Sequence, residues 1–199
     1  MRGTLGLLAV LALGSLGGFA CGSTGVTEVQ LGFNIVEGIL EIPENDPTTG
    51  TIILSNTGGN CPAYQRGLSV RNILLTDALV TAVQVQNILP DGGVGFLPLT
   101  QGTYTIEQGL IESAGQYAFT VEYETSARCV VTPTGANGGT VTLDPFNPAA
   151  GATSTLTYSF IFGLDEFSGA YPLSTCIIPS TAAIPDAGTC ELPDNGGTP

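Results

Sequence analysis

Histidine and tryptophan are missing from this chain, and so is lysine, because all four basic residues are arginines: Arg2, Arg66, Arg71 and Arg128. Without histidine there is no Ser-His-Asp or Cys-His nucleophile and no imidazole ligand for a metal. The five cysteines contain no C-x-x-C spacing, which removes the zinc and thioredoxin-like readings. A nucleophile elbow, a P-loop and a dinucleotide fingerprint are absent as well. Basic residues are too few to displace the counterions of a nucleic acid or to hold anionic lipid headgroups. The 17 acidic residues all follow Cys21 and set a net charge of −13, which serves solubility rather than fold.

A hydrophobic run long enough to span a bilayer is missing too. Thr4 to Gly17 is apolar and uncharged, but a span needs about 20 residues. Arg2 precedes this run, and Gly18-Phe19-Ala20 then leads to Cys21 and the small residues Gly22 to Gly25. A charged start, a short apolar centre and a small-residue junction describe an export leader. The junction resembles the lipobox of bacterial lipoproteins, with Gly18 standing where that motif usually has Leu. The resemblance implies removal of residues 1–20 and acylation of Cys21. Residues 21–27 would then tether the protein to the cell envelope, in the outer membrane rather than the inner one. Ordinary cleavage after Ala20, leaving Cys21 as a free thiol, is the alternative.

With Cys21 lipidated, Cys61, Cys129, Cys176 and Cys190 remain, an even set in an exported chain. Parity predicts two disulfides among them, and spacing leaves every pairing open.

What is abundant is period-two alternation. Tyr117, Phe119, Val121 and Tyr123 alternate with Ala118, Thr120, Glu122 and Glu124. Leu156, Tyr158, Phe160 and Phe162 make one face, while Thr155, Thr157 and Ser159 make the opposite one. Such patterns predict half-buried strands. Shorter candidates are 28–33, 38–42, 51–55, 68–75, 80–88, 104–111 and 140–143, separated by clusters such as PENDPTTG, LPDGGVG, PTGANGG and DPFNPAAG. Ile73 to Val85 is apolar enough to hide a helical turn. From about Pro179 the pattern stops, and residues 179–199 read as a loose tail. The expectation is one all-β domain over residues 28–178.

The order of Glu28–Phe33, TIILSNTG at 51–58, LSVRNILL at 68–75, SAGQYAFTVEYET at 113–125 and GTVTLDPFNP at 139–148 resembles the immunoglobulin-like domains of the abnormal-spindle and hydin type. That resemblance implies a β-sandwich of about seven to nine strands and a binding or scaffolding role with no catalytic residues. It further implies that the strands before Cys61 and Cys129 run the same way in facing sheets. Cys61–Cys129 and Cys176–Cys190 become the expected pairs, with Cys61–Cys176 and Cys129–Cys190 as runner-up.

Candidate sites are few. Glu122 and Glu124 read as a solvated strand face rather than an acid–base pair, which would need one of them buried. Glu44, Asp46, Asp165 and Glu166 are hard oxygen donors for calcium but lack EF-hand spacing. Tyr117, Tyr123 and Tyr158 read first as packing and second as a ligand platform. The expected protein has no cofactor, no metal and no enzymatic activity. Its partners are the membrane through the lipid, and an envelope protein or glycan. The competing functions are a calcium-dependent carbohydrate binder and a carboxylate-based glycan hydrolase.

Overall fold

The computed structural model describes residues 34–56, 77–108, 113–125 and 131–179. Every regular element among them is a strand. In chain order these are β1 (Glu37–Pro43), β2 (Thr49–Ser55), β3 (Ala78–Ile88), β4 (Val94–Leu97) and β5 (Gly102–Ile106). They continue with β6 (Gly115–Thr125), β7 (Val131–Gly135), β8 (Gly138–Leu143), β9 (Thr153–Phe162) and β10 (Asp165–Ile178). The all-β expectation holds. The candidates at 28–33 and 68–75 and the tail from residue 180 lie outside the described residues, as do Cys21, Cys61, Cys129 and Cys190. Within the ambiguous stretch, residues 78–85 are strand.

The strands follow the order β4-β3-β2-β1-β10-β9-β8-β5-β6-β7, and β3 also pairs with β6. That last ladder, from Ala78↔Tyr123 to Gln86↔Gly115, returns the sheet to its start. Eight strands therefore close into a barrel, with β4 and β7 attached outside the ring. The expected pair of facing sheets gives way to one closed sheet. The physical reason lies in β3, which carries β2 on one edge and β6 on the other, so neither edge is left open. Alternation reports that a strand is half-buried but not which neighbour it bonds. Pairing is antiparallel except for β1–β10 and β5–β6.

An eight-stranded barrel is just wide enough for side chains to fill. β9 contributes the largest of them: Leu156, Tyr158, Phe160 and Phe162 all point inward, as their alternation predicts. Tyr158 stacks on Phe160 with centroids 4.9 Å apart, and Phe162 meets Phe160 and Phe167 edge-on. Gly169, the register partner of Tyr158, makes this possible. A Cβ there would fall 2.7 Å from the Tyr158 hydroxyl oxygen. Leu40, Ile42, Ile52, Leu54, Leu79, Val83, Val141, Leu143 and Leu173 complete the interior with Tyr104. The Tyr104 hydroxyl donates to the Thr100 carbonyl at 2.6 Å, so its one buried polar group is satisfied.

Across the barrel from β9, space runs short and the wall of β3 and β6 turns small side chains inward. Ala118 and Thr120 of β6 are buried, and Thr120 shares a 3.0 Å hydrogen bond with Thr81 of β3. This inverts β6 relative to the sequence expectation. Ala118, Thr120 and Glu122 face the interior, while Tyr117, Phe119, Val121 and Tyr123 face outward.

Candidate functional site

The outward turn of β6 places its aromatic residues beside β3, whose outer row is Val80, Ala82, Gln84, Gln86 and Ile88. The register pairs Val80 with Val121, Ala82 with Phe119, Gln84 with Tyr117 and Gln86 with Gly115. On the other edge of β3, β4 continues the surface by pairing Gln86 with Phe96 and Ile88 with Val94. The β3–β4 hairpin is built by LPDGG. Leu89 N–H donates to the Gly93 carbonyl at 2.8 Å, and Gly92 N–H to the Leu89 carbonyl at 2.9 Å. Asp91 Oδ1 accepts the Gly93 N–H at 2.9 Å. Gly92 takes φ 83°, a conformation open to glycine and costly for others.

This outer face exposes several large apolar side chains. Ile88, Val94, Phe96 and Phe119 are all exposed on it, Phe96 at 52% and Phe119 at 51%, while Leu89 and Leu97 are exposed on the opposite side of the hairpin. Isolated exposed hydrophobics are ordinary, but a contiguous set marks an interaction site. The outer rows of β3, β4 and β6 named above carry no charged residue. Tyr117 is held down against the sheet, because a Cβ on Gly115 would lie 2.8 Å from the ring's Cζ and its hydroxyl oxygen. Its hydroxyl shares a 2.6 Å hydrogen bond with Ser113. Between Phe96 and Gly115 lies Gln86, only 7% exposed, and its Oε1 has no hydrogen-bond partner. Buried polar atoms are almost always paired, so this oxygen stands out.

Other candidate residues do not assemble. Glu122 is buried rather than solvated, and it has an interaction partner. Asp46 is committed to Thr48, through both its hydroxyl and its N–H. Glu166 accepts the Ser159 hydroxyl at 2.9 Å. Among the described residues no group of three or more Asp, Glu, Cys or His is placed to hold a metal ion. Tyr158 is core, while Tyr117 and Tyr123 lie on the outer face.

One acid has an altered affinity for its proton. Burial pushes the Glu41 carboxyl up from 4.5 to about 7. Its register partners are Thr51 and Cys176, and neither supplies a second carboxyl for the acid–base pair that glycoside cleavage uses. Cys176 is fully buried and disulfide-bonded, with every other cysteine outside the described residues. It packs with Ile39, Ile53 and Ala78 in a second cluster on the outward side of the wall.

Gln86 and Phe96 went unnoticed in the sequence because LPDGGVG reads as a turn. Its own Leu89 and Val94, with the flanking Ile88, Phe96 and Leu97, were the available sign of a hairpin with exposed apolar side chains. Compared with known proteins, the chain matches no family model, no curated protein and no solved structure.

Proposed function

We propose that this chain is an exported, lipid-anchored β module that works by binding rather than catalysis. It presents the outer face of β3, β4 and β6 to a partner in the cell envelope. The observation that carries this reading is the gathering of Ile88, Val94, Phe96 and Phe119 on one uncharged, exposed face. Solvated surfaces of that kind cost free energy unless a partner covers them. The leader and the lipobox-like junction at Cys21 support delivery to an envelope.

The test is in situ cross-linking of the full-length protein from Phe96 and Phe119 positions in its own envelope, beside Phe96→Asp and Cys21→Ser variants. A specific cross-linked product that disappears with Phe96→Asp supports the binding surface. Release of Cys21→Ser from membranes supports the anchor. A Phe96→Asp protein that keeps every cross-link would overturn the surface assignment, and a Cys21→Ser protein that stays membrane-bound would overturn the anchor.

A further inference from the structure

We infer that the outer face of β3, β4 and β6 binds a neutral glycan. Phe96, Tyr117 and Phe119 serve as stacking rings, and the side-chain oxygen of Gln86 accepts a hydrogen bond from a sugar hydroxyl. This rests on the binding role proposed above and names its ligand class.

Three observations converge on that chemistry. First, Gln86 is more than nine-tenths buried and its Oε1 lacks a donor. A ligand that brings an O–H group there relieves a cost already present in the free protein. A purely apolar partner would leave the oxygen as it is. Second, the amide lies between aromatic side chains. Phe96 is its register partner on one side, and the Tyr117 ring lies over its register partner Gly115 on the other. Sugars combine apolar C–H faces with projecting hydroxyls, and rings bracketing a polar group match both at once. Gln84, the register partner of Tyr117, adds a second amide to the same row. Third, the face carries no charge while the chain carries −13. Anionic polymers and phosphorylated ligands are repelled by the whole molecule and find no cation on this surface. Neutral polyhydroxyl ligands have no such barrier. The oxygen is shielded in the free protein, so binding needs a side chain to move. Phe96, half exposed on an outer strand, has the room to do so.

The experiment is affinity electrophoresis of the full-length, detergent-solubilised protein. Native gels are cast with dextran, galactomannan or hydroxyethyl cellulose, and with alginate as the anionic comparison. The expected result is retardation by at least one neutral polymer and none by alginate. Gln86→Leu and Phe96→Ala should each weaken it by about tenfold. Gln86→Leu should not lower the thermal midpoint, since it replaces an unpaired buried polar group with an apolar one of similar size. No retardation by any neutral polymer would overturn the glycan assignment. So would retardation that both substitutions leave unchanged, or equal retardation by alginate. If the glycan assignment fails while Phe96→Asp still abolishes the envelope cross-link, the binding surface stands with a protein as its partner. Failure of both measurements removes the surface altogether.

Discussion

The hydroxyl of Thr81 stands 3.0 Å from that of Thr120, both side chains are fully buried, and the pair lies on the ladder that closes the barrel. One hydroxyl donates to the other, and both are shielded from solvent. Thr81→Val or Thr120→Val alone should therefore cost about 1–3 kcal/mol, because the survivor loses its partner. The double variant should recover most of that loss, with valine filling the same shape. Urea unfolding of the two single variants and the double variant measures the coupling. Additive losses would mean the seam does not depend on this hydrogen bond.

Phe119 and Phe160 test which way β6 and β9 face. Phe160 is fully buried, and Phe160→Ala should cost about 3–5 kcal/mol. Phe119 is half exposed, and Phe119→Ser should change stability by no more than about 0.5 kcal/mol. Chemical denaturation compares the two. Equal losses would return Phe119 to the core.

Glu41 makes stability depend on pH. Its carboxyl titrates near 7 in the folded protein and near 4.5 when unfolded. The folded state thus holds the proton more tightly, and stability falls as pH rises from about 4.5 to about 7 and levels off above that. The effect is at most about 3 kcal/mol for a shift of this size. Glu41→Gln should flatten that part of the profile, leaving the slope from the remaining acids. An identical slope in the variant would place the cause elsewhere.

The Cys176 disulfide should be a large single contributor to stability. Cys176→Ala should lower it by about 2–5 kcal/mol, and reductant should do the same to the native chain. Peptide mapping without reduction identifies its partner, with Cys190 expected and Cys61 joined to Cys129. β2 and β6 do run the same way, each antiparallel to β3, and Ser55 and Tyr123 are both register partners of Ala78. The chain thus leaves both strands at one end of the barrel. A Cys61–Cys176 bond would instead tie the segment after β2 to the cluster around Ala78.

How much of this was legible depended on local chemistry. β9 could be read directly, since Leu156 to Phe162 alternate and the large residues are the buried ones. In β6 the alternation was equally clear, but its large residues face out. Which side is inside is decided by the bulk that β9 already places in the interior. β4, β7 and β10 carry too little alternation or too many breakers to be seen. Pro133 sits in an outer strand, where a missing N–H is tolerated. Pro172 in β10 faces Thr155, whose own N–H and carbonyl are taken by Pro145 and Asp144. No ladder bond is needed at that pair, so the proline does not interrupt the longest strand. The site was hidden for a related reason, because Gln86 acquires its neighbours only through the β4 and β6 pairings.

The parallel pairing of β1 with β10 joins the first described strand to the last, from Ile39↔Ser174 to Pro43↔Ile178. Contacts so distant in sequence raise the contact order and slow folding. They also impose a sequence of events. A chain that emerges amino-terminus first, from a ribosome or a translocation pore, cannot complete its ring until Ile178 is out. Until then β1 has an open edge, and the half-made sheet must be kept from pairing with other chains.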